Sequence, residues 1–312
     1  STNGSGTINQ WNWNMGGLGT YVGGTSNTDS MPEYIYQDCG IYSVTLIVTD
    51  NNGCSHTIIK TVEVYCEPTA NFNYIPDCVG SPTLFTDSSY SDGTITNWTW
   101  NMGGTGNYVS GTNSNSQNPE FLYDSCGVYY VTLIIIDDNG CNDTIQDSVN
   151  VYCLPTPNFS ANPVCQGDIT QFTDGSISGT HPSSAIVAWN WTMNASGTYV
   201  GGTNSTDSIP QYIFDNCGIH NVTLEVTDAN GCVESITLPI EVWCNPTADF
   251  QADPECFDDQ PILFTDNSTN GSGTINQWNW NMGGTGTYVG GTSSTDSIPE
   301  YIYQDCGIYS VT

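Results

Sequence analysis

The chain has 312 residues and a formal net charge of −31, because 32 acidic side chains accompany a single basic one, Lys60. A chain with so few cations cannot displace phosphate counterions, which excludes nucleic acid as an expected partner and disfavours anionic membranes. No apolar stretch approaches the roughly 20 residues of a membrane-spanning helix, so we expect no membrane insertion in this segment.

The sequence repeats itself on two scales. Residues 1–45 return as residues 268–312 with three differences, and a Cys-Gly pair recurs about every 90 residues. A fixed period of this kind indicates a tandem array in which each repeat is one structural unit. We expect the chain to be a window of a longer array. The expected domains are a partial one over 1–65 without its first two strands, complete ones over 66–152 and 153–243, and a partial one over 244–312 without its last strand.

The second repeat shows the predicted elements in chain order, and all of them are short strands. Its apolar and polar side chains alternate as they do in half-buried strands, and no helical period is visible. Asn139-Gly140 predicts a two-residue type I′ turn between the last two strands. Seven or so short strands in about 90 residues predict an all-β sandwich. The clearest strands are predicted over 71–74, 83–87, 94–102, 120–123, 127–137 and 147–152.

Tryptophans recur in pairs at alternate positions of the third of these strands. Alternate positions of a strand face the same side, so we expect the paired rings to belong to the core. The alternative is an aromatic surface that binds sugars. The pairs are Trp11 and Trp13, Trp98 and Trp100, and Trp189 and Trp191.

Three segments of each repeat resemble the PKD domain family. In the second repeat they are WTWNMGG from Trp98, PEFLY from Pro119 and GVYYVTL from Gly127. The resemblance implies tandem immunoglobulin-like β-sandwiches that form a rod-like array. One departure is Gly104, which stands near the place of an acid in the family pattern. The acidic, Cys-rich composition resembles the tandem PKD arrays of giant surface proteins that gliding bacteria export by type IX secretion.

Four cysteines recur in each complete repeat, and the chain has 13 in total. Cysteines at fixed spacings predict disulfides and therefore an oxidising location, extracellular or at the cell surface. If Asn139-Gly140 is a two-residue turn, Cys126 and Cys153 lie directly opposite each other, at a separation that suits a disulfide. The pairs predicted in this way are Cys39–Cys66, Cys126–Cys153 and Cys217–Cys244.

The pairing of the remaining cysteines stays open at this point. In an immunoglobulin-like topology their two classes lie at opposite ends of one domain, about 25–30 Å apart. One interpretation is a bridge between neighbouring domains, such as Cys78–Cys232. The other is a bridge within a domain, such as Cys78–Cys141, which needs a different path for the first strand. The two classes are Cys54, Cys141 and Cys232 after the hairpin turn, and Cys78, Cys165 and Cys256 in the first turn.

No group of residues resembles a catalytic site, and we expect no enzyme. The three histidines, His56, His181 and His220, fall at non-equivalent places in the repeats and are expected to lie on the surface. A catalytic acid, base or nucleophile would need partners held together in a pocket.

Calcium is the one possible cofactor, because carboxylate oxygens suit this ion. Acids recur before the hairpin turn at Asp50, Asp137 and Asp228, although no EF-hand spacing is present. The alternative is that these carboxylates are solvated turn residues.

A long insertion precedes the proline-led strand of each repeat, and we expect it to pack on a neighbouring chain or a ligand. The short pattern Asp-(Ser/Thr)-(Met/Ile) resembles the O-glycosylation signal of the same bacteria. The candidate acceptors are Ser30, Thr144, Ser208 and Ser297.

We expect the chain to be a structural repeat segment of a giant extracellular filament or cell-surface adhesin. It would act as a stiff, disulfide-stapled spacer or fibre shaft for attachment, gliding or the capture of prey or particles. Its partners would be other copies of itself, neighbouring repeats and surface glycans. The alternative is a carbohydrate-binding adhesin whose repeats contact the ligand with their own surface.

Overall fold

The structure is a computed structural model that describes residues 6–180, 184–255 and 260–312. The chain divides into two compact units, residues 1–153 and 154–312. All regular elements of the described residues are β-strands, which confirms the predicted all-β class. Nowhere in these ranges does a helix reach the length and hydropathy needed to cross a membrane.

The described part of the first unit contains thirteen strands. Alternation of apolar and polar residues and β-branched side chains favour this conformation throughout. The strands are β1 (Ile8–Asn14), β2 (Gly19–Val22), β3 (Glu33–Tyr36), β4 (Gly40–Asp50), β5 (Ser55–Val64), β6 (Phe72–Ile75), β7 (Asp77–Cys78), β8 (Thr83–Asp87), β9 (Ile95–Asn101), β10 (Gly106–Tyr108), β11 (Glu120–Tyr123), β12 (Gly127–Asp137) and β13 (Asn142–Tyr152).

The second unit contains twelve strands in its described residues. They are β14 (Phe159–Ala161), β15 (Val164–Cys165), β16 (Ile169–Asp174), β17 (Ile186–Thr192), β18 (Gly197–Tyr199), β19 (Gln211–Phe214), β20 (Gly218–Asp228), β21 (Val233–Trp243), β22 (Phe250–Ala252), β23 (Ile262–Asp266), β24 (Gly286–Val289) and β25 (Glu300–Tyr303).

The second repeat is a sandwich of two four-stranded sheets. One has the order β10-β11-β8-β6 and the other β7-β13-β12-β9. All pairings are antiparallel except that of β7 with β13, which is parallel. Phe85, Trp100 and Leu133 are among the side chains that form one buried cluster. The third repeat has the same arrangement, with sheets β14-β16-β19-β18 and β15-β21-β20-β17.

The two outer repeats show fewer strands among residues 6–65 and among the described residues of 244–312. In the first repeat, β1, β4 and β5 form one sheet and β2 and β3 form another. In the last repeat, β22, β23, β25 and β24 form one sheet. Two backbone hydrogen bonds join Asn281 and Thr312, which correspond to residues of the other sheet in the complete repeats. The N–H of Asn281 donates to Thr312 O at 2.6 Å, and the N–H of Thr312 donates to Asn281 O at 3.0 Å.

The hairpin between β12 and β13 closes with a three-residue loop, so the prediction of a two-residue type I′ turn was wrong. The N–H of Asp137 donates to Cys141 O at 3.0 Å, and the N–H of Gly140 donates to Asp137 O at 3.1 Å. Gly140 has a φ of 84°, as required at the end of a type I turn that is followed by a bulge. Asn139-Gly140 therefore occupies the last two loop positions, and the register shifts by one residue from the predicted one.

Candidate functional site

A disulfide closes the last hairpin of each of the first three repeats. Because the ladder pairs Gly127 with Val151, Cys126 does not lie directly opposite Cys153, and the bond runs diagonally across the strand ends. Their Cα atoms are 4.9 Å apart, within the range that a disulfide spans. The predicted cysteine pairs are thus present, although the register of β12 and β13 differs by one residue from the predicted register. The three bonds are Cys39–Cys66, Cys126–Cys153 and Cys217–Cys244.

The second cysteine class occupies opposite ends of one domain. Cys78 pairs with Tyr152 at the end of β13, whereas Cys141 precedes the start of the same strand at Asn142. A strand of this length rises roughly 33 Å, so Cys78 and Cys141 cannot bond within the domain. Cys141 carries a free thiol in the structure, which contradicts the alternative Cys78–Cys141 pair. The Cys78–Cys232 bridge stays a prediction, and Cys256 lies outside the described residues.

The free thiols of the described residues belong to Cys54, Cys141, Cys165 and Cys306. Burial raises the pKa of the Cys141 thiol, and the carboxylates of Asp137 and Glu67 add to this effect. A raised pKa keeps the sulfur protonated and makes it a poor nucleophile.

The acid before each hairpin turn holds the turn in shape. Asp137 is buried, and its Oδ1 accepts hydrogen bonds from the N–H groups of Asn139 at 3.0 Å and Cys141 at 2.9 Å. Its Oδ2 accepts a bond from Ser91 Oγ at 3.0 Å. The same two backbone contacts recur at Asp50 and at Asp228. These carboxylates therefore act as internal caps of the loop.

Calcium at these acids stays a proposal. Asp228 is only 1% exposed, and its Oδ2 has no hydrogen-bond partner. One oxygen of this kind suits a hard cation, but calcium takes six to eight oxygen ligands. The described residues hold no group of three or more acidic, histidine or cysteine side chains that could bind a metal.

The tryptophan pairs of the complete repeats point inwards. Trp100 and Trp191 are buried in their cores. Trp98 is half-buried, and its Nε1 donates to Asp87 Oδ2 at 2.8 Å. Trp189 makes the equivalent bond to its own aspartate. These rings are therefore structural and are not available as a flat platform for a sugar. Trp11 and Trp13 of the first repeat are half-buried.

The long insertion folds back on its own domain. The backbone N–H of Trp100 donates to Ser114 O at 2.8 Å, and its indole Nε1 donates to Ser116 O at 2.9 Å. Tyr108 from the insertion donates to Trp100 O at 3.3 Å. The insertion thereby covers part of the free edge of β9, which is the last strand of its sheet. The corresponding backbone bonds are Trp13 to Asn27, Trp191 to Ser205 and Trp280 to Ser294.

The candidate glycosylation residues fall in two different settings. Ser30, Ser208 and Ser297 share one position near the end of the insertion, each after an aspartate whose carboxylate accepts a backbone N–H and closes a turn. Thr144 instead lies within β13, opposite Ile134. The aspartates thus have a structural role of their own, and modification of these hydroxyl groups stays a prediction.

His220 has a structural position that the sequence reasoning missed. Its ring stacks on Phe214 at 4.8 Å, and its Nε2 lies 2.8 Å from Asn216 O. In the second repeat Tyr129 holds the same place and stacks on Tyr123 at 4.1 Å. A sequence pattern could have indicated this position. The residue three places after the cysteine of each Cys-Gly pair has an aromatic ring in every repeat. His56 is exposed, and His181 lies outside the described residues.

Comparison with known protein families finds a match for the first two repeats. The family model described as "PKD domain" matches residues 1–66 and 67–152. Residues 1–152 thus contain two PKD domains in tandem. PKD domains are generally non-catalytic modules, and together with the disulfides they indicate an extracellular or secreted protein.

Relatives of these PKD domains occur in proteins of Vibrio species. The pre-pro-metalloprotease PrtV of Vibrio cholerae is 32% identical over 160 residues, which make up 50% of this chain and 15% of PrtV. The chain thus spans about a seventh of the length of this relative. The crystal structure of the PKD1 domain of PrtV is 29% identical and covers 28% of this chain and 98% of that domain, at a TM-score of 0.23. The PKD1 domain of Vibrio anguillarum Epp is 26% identical and covers 28% and 95%, at 0.24.

Proposed function

We propose that this chain is a structural repeat segment of an extracellular filament or cell-surface adhesin. In this role each PKD domain is a stiff spacer or fibre shaft that transmits tension between an anchor and a point of attachment. The strongly acidic composition fits a parent protein of the giant type IX-secreted class. A high net charge keeps a long chain soluble, and salt in the medium limits the repulsion between its own charges.

The parallel pairing of β7 with β13 is the observation that carries this proposal. Asp77 pairs with Val151 and Cys78 with Tyr152, so the first turn of the domain holds its last strand. When the two ends of the domain are pulled apart, parallel neighbours slide along each other and their bonds are loaded together. Breaking several bonds at once needs more force than opening them one at a time.

The disulfide adds a second support. Cys126–Cys153 closes a loop with a sequence separation of 27 residues, which contains all of β12 and all of β13. Tension that arrives at Cys153 passes through the sulfur atoms to Cys126. The backbone inside the loop therefore cannot extend, and the hairpin stays intact against β7.

Imaging of the native assembly tests this function. Electron tomography of cells that produce the protein, with antibodies raised against this chain, should label extended fibres or appendages outside the cell. Labelling of a soluble secreted fraction alone would contradict the proposal. Binding of the chain to immobilised glycans would favour the carbohydrate-binding alternative, for which the insertions offer no exposed aromatic pair in the described residues.

A further inference from the structure

One face of the second repeat carries no charge. It is the outward side of β9, β12 and β13, opposite to the side on which Val131, Leu133 and Ile135 are fully buried. We call it the neutral face. On β12 it consists of Val128, Tyr130, Thr132, Ile134 and Ile136, on β9 of Asn97, Thr99 and Asn101, and on β13 of Asn142, Thr144, Gln146, Ser148 and Asn150.

The absence of charge on this face is unusual for its domain. Residues 67–152 contain ten acidic side chains and no basic one, and none of the ten lies at a position of the neutral face. Two copies of the chain repel each other overall, because each carries a formal net charge of −31. The neutral face is a place where this repulsion is weakest.

The composition of the neutral face suits contact with a protein surface. A stripe of four apolar side chains runs along β12, with exposures of 41% for Val128, 63% for Tyr130, 37% for Ile134 and 36% for Ile136. Amide and hydroxyl side chains of β9 and β13 flank it on both sides. An apolar centre with an uncharged hydrogen-bonding rim is the usual anatomy of a protein interface.

We propose that the neutral face binds a second copy of this chain, sheet against sheet. A two-fold arrangement would place the apolar stripe of one copy on that of the other, with the rims able to exchange hydrogen bonds. Two sheets packed in this way lie about 10 Å apart. The contact would supply the lateral association of the proposed filament, and its biological meaning rests on that function.

The third repeat provides an internal comparison. Its corresponding face carries Glu225 on β20 and Glu241 on β21, where Glu241 pairs with the exposed Ile219. Two such faces would bring four carboxylates together in a partly desolvated contact. The proposal therefore does not extend to the third repeat.

The size of the face predicts a weak association. The three strands lie about 4.8 Å apart, and each residue adds about 3.3 Å of length. With about ten residues each from β12 and β13 and seven from β9, they present roughly 430 Å². A stable interface buries about 800 Å² on each partner. We expect the contact to be detectable only at high protein concentration, and to strengthen as salt screens the repulsion between the acidic surfaces.

Sedimentation velocity of the whole chain, with its free thiols alkylated, tests the proposal. In about 500 mM NaCl the chain should dimerise at high concentration, and in about 20 mM NaCl it should not. Thr144→Glu introduces one carboxylate on each neutral face and should weaken association at least about tenfold. Thr86→Glu is the matched control, because Thr86 is an exposed strand residue on the outer side of the other sheet.

Equal melting temperatures of the two variants would show that both remain folded. A chain that stays monomeric at high salt and millimolar concentration would overturn the proposal, as would equal weakening by both substitutions. These results are independent of the imaging experiment. Loss of dimerisation alone leaves the fibre proposal in place, and labelling of a soluble fraction alone leaves the dimer measurement in place.

Discussion

At the scale of single residues, the aspartate before each hairpin turn determines how the hairpin closes. Asp137 satisfies two backbone N–H groups inside the loop and fixes the bulge that sets the register of β12 and β13. That register in turn places Cys126 within bonding distance of Cys153. The loop carboxylate and the disulfide are therefore parts of one structural unit, at opposite ends of the same hairpin.

Removal of this carboxylate should destabilise the second repeat. In Asp137→Ala two N–H groups and Ser91 Oγ lose an acceptor, and we expect a loss of about 2 kcal/mol or more in the free energy of unfolding. Urea denaturation measures the change. Asp124→Ala is a suitable control because Asp124 is exposed, and it should change stability by less than about 0.5 kcal/mol. Equal effects of the two substitutions would contradict the capping role.

Tyr123 predicts how stability changes at alkaline pH. Burial raises the pKa of Tyr123, and the neighbouring Tyr129 and Tyr108 add to the effect. Its hydroxyl donates to Met102 O at 3.0 Å. In the unfolded chain a tyrosine ionises near pH 10, whereas the folded domain retains the proton. The stabilisation from the neutral form is thus complete below pH 10 and is lost as the pH rises further.

Tyr123→Phe should make the decline in stability above pH 10 less steep. The variant loses the bond to Met102 and will be less stable at neutral pH, so the slope and not the absolute value is the test. Urea midpoints measured between about pH 8 and 11.5 give this slope. Identical slopes for the two proteins would show that Tyr123 does not control the alkaline loss.

At the scale of elements, the insertion protects an edge strand. β9 ends its sheet and would expose a row of unpaired backbone groups, which is a template for unwanted strand pairing. The insertion bonds to part of this edge through Ser114 and Ser116. We therefore interpret its repetition in all four repeats as a requirement of the fold, and the expectation of an outward contact finds no support in these bonds.

Trp100→Phe tests the attachment of the insertion. The phenyl ring fills most of the cavity but cannot donate to Ser116 O, and the domain should lose about 1–3 kcal/mol. Hydrogen exchange of residues 109–118 should accelerate. The equivalent insertion at residues 200–209 of the third repeat is unchanged and serves as the control within the same sample. Unchanged exchange in the second repeat would contradict this role of the indole.

The strands were predictable where side-chain alternation is strong. The prediction over 83–87 matches β8, and that over 127–137 matches β12. The prediction over 147–152 found only the second half of β13, because the outward side chains at the start of that strand are polar and resemble a loop. β7 has two residues, which is too short for any periodic pattern, and its parallel pairing depends on tertiary contacts.

The sequence predicted the cysteine pairs of the candidate site but not the conformation of the hairpin loop. Asn-Gly is compatible with both a two-residue turn and the end of a three-residue loop, so the sequence alone leaves the register open by one residue. The buried cap at Asp137 decides between them, and an acid before a turn is equally common on a solvated surface. His220 was missed because histidine rarely replaces a core-packed tyrosine.

At the scale of the whole molecule, the remaining cysteines predict covalent links between repeats. Cys78 and Cys141 lie at opposite ends of their domain, so a partner for Cys78 has to come from elsewhere. We predict the Cys78–Cys232 bridge. Peptide mapping without reduction, using a protease that cuts at acidic or aromatic residues, should yield a peptide that joins these two cysteines. A peptide that joins Cys78 to Cys141 would contradict this prediction.

The central claim, that the repeats are disulfide-stapled spacers under tension, is tested most directly by pulling the chain between its two ends in a force microscope. The measurement uses a Cys78→Ser variant, which cannot form the predicted Cys78–Cys232 bridge. With the other disulfides intact, unfolding of its second repeat should leave the loop between Cys126 and Cys153 closed. Because this loop has a sequence separation of 27 residues, reduction should lengthen the extension of that repeat by roughly 90 Å. Unfolding events of equal length before and after reduction, or extension without distinct events, would contradict the account.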